Sequence, residues 1–116
     1  MPKYKVIFHI DEINKWKLLL GNVTNLLNGI GSKKLCVEVL ANSEAVKYYD
    51  TSLGLAADIN TMDELNKKGV RFVACNNALI SYDIKKDNII NFVNIVPAGV
   101  VELVEKQSEG YAYIKP

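Results

Sequence analysis

Cys75 is the side chain of this sequence with the strongest potential for chemistry, because it stands where one element ends and the next begins. Residues 72–80 read FVACNNALI, so an apolar run leads into the thiol and a second apolar run follows two asparagines. A thiol at the start of a helix lies close to free backbone N–H groups, which favour the nucleophilic thiolate. Free cysteines also serve as small buried hydrophobes, and position alone leaves both interpretations open.

Other polar or small residues follow the remaining predicted strands at equivalent positions. They are His9 at the end of the first strand, Asn42 and Ser43 after the second, Asn76 and Asn77 after the third, and Gly99 after the fourth. The carboxyl ends of parallel strands meet at one edge of a sheet, where ligands bind. We therefore predict an anion or ligand site beside Cys75, with His9 helping to move a proton. The simpler alternatives are that the asparagines and the serine cap helices, that His9 is structural, and that Gly99 only forms a turn.

Strand-like and helix-like segments alternate along the chain and would bring these residues to one edge. Short apolar or β-branched runs predict five strands, at 4–10, 35–41, 70–75, 91–96 and 111–114. Apolar residues spaced by three and four, or capping residues, predict helices at 13–30, 44–49, 61–69, 76–82 and 100–109. This alternation predicts a three-layer α/β/α sandwich of Rossmann or flavodoxin type, with a mostly parallel five-stranded sheet. We expect one domain over residues 1–116, with the strands at 4–10, 35–41 and 70–75 at the centre of the sheet.

Two of the predicted helices carry specific local signals. Thr61 and Glu64 match a capping box at the start of one helix, and Gly69 ends it. The last helix presents an apolar pattern on one face, formed by Val100, Leu103, Val104 and Gln107.

Composition excludes several classes of protein. The 116 residues include 14 basic and 13 acidic side chains, mixed along the chain, which gives a net charge of +1. That balance provides no basic patch for nucleic acid or an anionic membrane. No apolar run approaches the ~20 residues of a membrane-spanning helix. Phosphate-loop, dinucleotide-binding, zinc-protease and hydrolase motifs are absent from the sequence, so we expect no cofactor.

The cysteines and the single histidine limit the metal and redox chemistry. Cys36 and Cys75 form no CxxC pair, and one histidine does not complete a zinc site with them, so no metal is expected. Cys36 lies early in its strand, ~15 Å from the predicted ligand edge, and is expected to be buried, inert and unpaired with Cys75. Free thiols predict a cytoplasmic protein.

Four segments of the sequence resemble a known family. VIFHID (6–11), ANSEAV (41–46), VACNNAL (73–79) and VPAGVVELVEKQSEGYAYIKP (96–116) look like a small subgroup of the DsrE/DsrF-like, or DsrEFH, sulfur-relay family. The resemblance implies a persulfide that Cys75 carries and passes between proteins, and subunits assembled as trimers or hexamers. The aperiodic, largely apolar segment 51–59 fits a surface that a partner subunit covers.

Two functions of different class remain open. In the first, Cys75 accepts and donates sulfane sulfur, which makes the chain an intracellular sulfur-relay protein or sulfurtransferase with donor and acceptor proteins. In the second, the same edge is a non-catalytic pocket for a small anion or nucleotide, with Cys75 in its wall. Replacement of Cys75 by serine separates them, since a carrier loses all sulfur transfer while a pocket keeps most of its affinity.

Overall fold

A five-stranded parallel sheet lies at the centre of the molecule. The computed structural model describes residues 2–54 and 57–116. In these residues the sheet has the strand order β4-β3-β2-β1-β5, and all four pairings are parallel. The predicted parallel sheet and its three central strands are therefore confirmed. The strands are β1 (Tyr4–Ile10), β2 (Leu35–Ala41), β3 (Arg71–Cys75), β4 (Asn94–Val96) and β5 (Ala112–Ile114).

Four α-helices connect the described strands. They are α1 (Trp16–Ile30), α2 (Ile59–Lys67), α3 (Asn76–Ser81) and α4 (Gly99–Ser108), with 3-10 segments at Ile13–Lys15 and Ser43–Tyr49. The chain steps in one direction from β1 to β4 and then returns across the sheet to β5. Because parallel crossovers are right-handed, the return connection lies on the opposite face from the others. Helix α4 therefore covers one face alone.

The face under α1, α2 and α3, called here the α1 face, holds the larger core. Alternate strand residues such as Phe8, Val39 and Phe72 are buried there in one cluster with the apolar side of α1. Trp16 is 1% exposed, and its Nε1 donates a hydrogen bond to the backbone oxygen of Ala45 at 3.0 Å. Burial of several large side chains on this face gives the sheet most of its apolar stabilisation.

The face under α4, called here the α4 face, holds a much smaller apolar core. Ile7, Leu40, Val73 and Leu103 form its cluster of buried apolar side chains in the described residues. Two acids, Glu38 from β2 and Glu102 from α4, are buried beside it. The same strands thus present apolar side chains to one face and a mixture of apolar and charged side chains to the other.

The predicted apolar face of the last helix is not the face that contacts the sheet. Leu103 is buried, but Val100 and Val104 are 65% and 60% exposed. Glu102 turns inward instead, because its carboxylate meets Arg71 at 3.6 Å. An ion pair therefore sets the rotation of α4, and its valines face outward.

The predicted capping box at Thr61 is also wrong. Helix α2 begins at Ile59 with Asp58 in the N-cap position, so Thr61 lies within the first turn. Asp58 accepts a hydrogen bond from the Tyr48 hydroxyl at 2.6 Å. This contact joins the start of the helix to the 3-10 segment Ser43–Tyr49. Gly69 follows the helix with φ 101°, a left-handed conformation that suits glycine, as predicted.

The predicted loop over residues 51–59 is described in part. Thr51–Leu53 forms a 3-10 turn and Ile59 begins α2, while residues 55 and 56 lie outside the described residues. Among the helices of the described residues, none has the length and apolar character needed to cross a membrane.

Candidate functional site

An open pocket of about 590 Å³ lies where β2, β3 and β4 end. The structure brings five of the predicted residues together in its wall, and they come from three different connections. These residues are Asn42, Ser43, Cys75, Asn77 and Gly99. The pocket forms at the edge that parallel strands predict for a ligand site.

Cys75 is the last residue of β3 and is 6% exposed, with its side chain in the pocket wall. The backbone N–H of Gly99 donates a hydrogen bond to Cys75 Sγ at 3.2 Å. The sequence predicted such a donor from the helix that follows Cys75, but the donor found belongs to the first residue of α4. An N–H group at the start of a ten-residue helix stabilises negative charge on the atom that accepts from it.

Gly99 permits a close approach between α4 and the carboxyl ends of the strands. A Cβ atom on Gly99 would lie 3.2 Å from Cys75 Cβ, 3.2 Å from Leu40 Cδ1 and 3.3 Å from Asn42 Cβ. These distances are shorter than ordinary van der Waals contacts, so a side chain would push α4 away from the thiol. The turn predicted around Gly99 therefore has a packing role that its sequence alone does not reveal.

His9 does not line the pocket, although it lies on the same edge of the sheet. Its Nε2 is 2.9 Å from Asn42 Oδ1, and its Nδ1 is 2.7 Å from the Tyr113 hydroxyl. Both ring nitrogens are therefore engaged, and neither contacts Cys75. In this geometry His9 does not exchange a proton directly with Cys75, because Asn42 lies between the imidazole and the pocket.

Asn42 and Ser43 follow β2 but do not act as the side-chain caps that their sequence position suggests. Asn42 occupies the N-cap position of the 3-10 segment, yet its Oδ1 meets His9, and no cap bond forms in the described residues. Ser43 has φ 49°, a left-handed conformation that costs a non-glycine residue about 1–2 kcal/mol. Backbone strain of this kind is often found at functional sites.

Asn76 and Asn77 separate at the start of α3. Asn77 lines the pocket and is exposed. Asn76 lies outside the pocket lining, and its Oδ1 is buried without a hydrogen-bond partner among the described residues. Only Asn77 of the pair is placed to meet a ligand beside Cys75.

Cys36 lies at the other end of the sheet from Cys75. It is the second residue of β2, is half-buried, and its Sγ is 3.1 Å from the Tyr111 hydroxyl. This hydrogen bond, with burial, raises the pKa of Tyr111 above its usual range. Both cysteines are free thiols.

A buried pair of acids beneath α4 was not anticipated from the sequence. Arg71 Nη1 lies 3.0 Å from Glu38 Oε1, and Lys106 Nζ lies 3.8 Å from Glu102 Oε2. Burial, followed by the hydrogen bond to Glu102 and the charge of Glu102, raises the pKa of Glu38 to about 8. The Glu38 carboxyl group therefore keeps its proton to a higher pH than an exposed glutamate does. The signal in the sequence was a single acid inside the apolar strand LCVEVLA.

Comparisons with known proteins agree with this architecture. The model of the DsrE/DsrF-like family matches residues 35–116. The structure of MTH1491 from Methanobacterium thermoautotrophicum, a protein of unknown function, is similar to this chain, with a TM-score of 0.87 and 35% identity. That similarity covers 97% of this chain and 99% of the other.

Two further solved structures share the fold at low identity. YchN from E. coli has a TM-score of 0.70 at 17% identity, over 100% of both chains. The protein of unknown function BT1422 from Bacteroides thetaiotaomicron has a TM-score of 0.69 at 15% identity, over 97% of this chain and 94% of the other. No curated protein matches the chain.

Proposed function

This chain belongs to the DsrE/DsrF-like family, and we propose that it is a sulfur-relay protein that carries sulfane sulfur as a persulfide on Cys75. The observation that carries the proposal is the position of the thiol. Cys75 Sγ lies in the wall of a ligand-sized pocket and accepts the N–H of Gly99 at 3.2 Å. The anion that this donor stabilises is the form of a thiol or a persulfide that takes part in sulfur transfer.

The proposed chemistry is an exchange of one sulfur–sulfur bond for another. The Cys75 thiolate attacks the outer sulfur of a donor persulfide and forms a new bond from Sγ to that sulfur. The bond between the two donor sulfurs breaks, and the donor leaves as a thiolate with the electron pair. In the second half, an acceptor thiolate attacks the outer sulfur and Cys75 leaves as a thiolate. The sulfane sulfur moves without net oxidation or reduction, so only thiols and persulfides are needed.

The pocket offers neutral donors to the terminal sulfur. Asn42, Ser43 and Asn77 line the same space as Cys75 and carry amide or hydroxyl groups. A reducing compartment such as the cytosol suits this chemistry, because thiols remain free there.

We also propose that the chain works as a homo-oligomer, with a trimer or hexamer favoured. Val100, Val101 and Val104 expose 65%, 52% and 60% of their surface on α4, beside the pocket. Ile80, on α3 next to the pocket residues, is 69% exposed. Exposed apolar side chains concentrated in this way around a pocket favour an interaction site.

A second function is a non-catalytic pocket for a small anion or nucleotide. The observation that favours it is the engagement of His9 by Asn42 and Tyr113, which leaves no contact between the histidine and the thiol. In this alternative Cys75 is a wall residue, and Gly99 N–H with the asparagine amides would bind the ligand.

Persulfide loading followed by mass spectrometry tests the proposal. The reduced protein is incubated with an inorganic polysulfide and then with a thiol acceptor. We expect wild type and the matched control Cys36→Ser to gain one sulfur atom and to lose it to the acceptor, while Cys75→Ser gains none. Equal loading of Cys75→Ser would contradict the proposal. Retained binding of thiosulfate or a nucleotide by that variant, with no loading of wild type, would favour the alternative.

A further inference from the structure

Three side chains from neighbouring strands form a hydrogen-bonded row that ends at the Cys75 pocket. Tyr113 comes from β5, His9 from β1, and Asn42 directly follows β2. The distances are 2.7 Å from the Tyr113 hydroxyl to His9 Nδ1, and 2.9 Å from His9 Nε2 to Asn42 Oδ1. Because β1 lies between β5 and β2 in the sheet, the row crosses three strands at their carboxyl ends.

The row has one direction of hydrogen-bond donation. The amide oxygen of Asn42 only accepts, so His9 Nε2 must carry the proton that lies between them. When the imidazole is neutral and protonated at Nε2, its Nδ1 is an acceptor, and the Tyr113 hydroxyl donates a hydrogen bond to it. Tyr113 therefore fixes the tautomer of His9, and His9 fixes the orientation of the Asn42 amide.

This orientation leaves the Nδ2 N–H groups of Asn42, a residue that lines the pocket, available to a ligand. Asn42 lines the pocket with Cys75, and Nδ2 makes no hydrogen bond to any other group in residues 2–54 and 57–116. The side chain is also near the thiol, since a Cβ on Gly99 would touch both Asn42 Cβ and Cys75 Cβ. The described residues of the pocket wall carry no charged side chain. Polar groups such as the Asn42 amide and the Gly99 N–H, which is bonded to Cys75 Sγ, therefore determine which charge the pocket favours.

We propose that His9 and Tyr113 are positioning residues that hold the Asn42 amine towards the Cys75 pocket, and that the site thereby selects negatively charged sulfane-sulfur donors. The donor class is a persulfide or thiosulfonate anion: Cys75 attacks its outer sulfur, the bond that held this sulfur to the donor breaks, and a thiolate or a sulfinate leaves with the electron pair. That the anion delivers a sulfane sulfur rests on the proposed function, whereas the preference for anions is a property of the pocket itself. His9 does not take the thiol proton in this arrangement, because both of its nitrogens are already engaged.

Alkylation by two reagents of similar size tests the charge preference. In a Cys36→Ser background, only Cys75 reacts, and its rates with anionic iodoacetate and neutral iodoacetamide are measured. The ratio of the two rates cancels changes in the amount of thiolate, which a merely structural effect would alter. Asn42→Ala removes a hydrogen-bond donor to the charged reagent, so the ratio of the iodoacetate rate to the iodoacetamide rate should fall by about threefold. The isosteric Asn42→Asp also adds a negative charge, so the ratio should fall by about tenfold. For Tyr113→Phe we expect about a twofold fall, because His9 loses the partner that fixes its tautomer.

Nitrogen NMR of the His9 ring provides a measurement that does not depend on reactivity. At a pH where the ring is neutral, we expect the proton on Nε2 in the wild type and a mixture of tautomers in Tyr113→Phe. A ratio unchanged in both Asn42 variants, or a wild-type ring protonated at Nδ1, would overturn the inference. These outcomes are separate from the proposed function: a ratio that falls while polysulfide leaves wild-type Cys75 unmodified supports the row and removes the relay. Loading of Cys75 with sulfur, together with an unchanged ratio, supports the sulfur relay and contradicts the role of the row.

Discussion

The two faces of the sheet are built from the same five strands but differ in what they bury. On the α1 face, Trp16, Phe8 and Phe72 are fully buried within a large apolar cluster. On the α4 face, one helix covers four buried apolar side chains and a pair of buried acids. The polar row and the Gly99 contact to Cys75 also lie on the α4 side.

Stability and chemistry are therefore separated within one small sheet. Apolar burial on the α1 face contributes most of the free energy of folding. The α4 face can therefore contain features that cost free energy, such as the two buried carboxyl groups. Exposed valines on α4 belong to the same face. Four experiments test this separation between the two faces.

The largest loss of stability from a single substitution is expected for leucine to alanine, and the same change is compared on the two faces. Leu19 is 0% exposed on the α1 face, and Leu103 is 8% exposed on the α4 face. Leu19→Ala should lower the free energy of unfolding by about 3–4 kcal/mol, because it leaves a cavity in the large core. Leu103→Ala should cost about 2 kcal/mol, since the thin layer can collapse around it. Urea unfolding measures both, and an equal or larger cost for Leu103→Ala would show that the α4 face is not the weaker one.

Alanine substitutions at two glycines should have the next largest effect on stability. Gly99→Ala adds a Cβ within 3.2–3.3 Å of three neighbours and should destabilise the fold by about 1–3 kcal/mol while weakening the N–H contact to Cys75. The control, Gly21→Ala, lies inside α1 with nothing within 4 Å of the new Cβ. It should stabilise the fold by up to about 1 kcal/mol, because alanine is the better helix former. If Gly99→Ala raises the melting temperature as Gly21→Ala does, the close approach at Gly99 does not limit stability.

The buried acids predict a pH dependence of stability with a definite sign. Since the pKa of Glu38 rises from 4.5 to about 8 on folding, the folded chain holds a proton that the unfolded chain releases between these values. Stability should therefore fall as the pH rises through this window, by at most about 1.4 kcal/mol per pH unit for one proton. Glu38→Gln should flatten the dependence, whereas Glu105→Gln, an exposed control on α4, should preserve it. A wild-type stability that rises from pH 5 to pH 8 would refute the raised pKa of Glu38.

The smallest effect on stability is expected at the exposed apolar residues, where the comparison concerns association. Val104 on α4 is 60% exposed and Leu18 on α1 is 50% exposed. Each change to aspartate should alter the free energy of unfolding of the monomer by about 0.5 kcal/mol or less. Light scattering should show that Val104→Asp lowers the oligomeric state while Leu18→Asp does not. A monomeric wild type at micromolar concentration would remove the proposed homo-oligomer.

The sequence predicts features that depend on nearby residues and misses those that join distant ones. Strands β1 and β2 have the predicted bounds, because short and largely apolar runs define them. The row from Tyr113 to His9 joins residues 104 positions apart, and no local pattern at either residue announces it. The rotation of α4 was misjudged for a related reason, since the valine pattern was visible while the pairing of Glu102 with Arg71 was not. Cys75 was identified as a site residue from its strand-end position, but its N–H donor in α4 required the fold.

The short pairing of β5 with β1 has a consequence for how the molecule opens. Three residue pairs join them, beginning with Val6 and Ala112, whereas β1 and β2 share seven. Pairing segments so far apart in the chain closes a long loop, which makes it a late step of folding and an early step of local unfolding. We expect amide hydrogen exchange to be faster in α4 and β5 than in α1 and the three central strands. Each such opening would withdraw Gly99 from Cys75, so the free energy of this motion, rather than the 6% static exposure, would set how often the thiol meets a large partner.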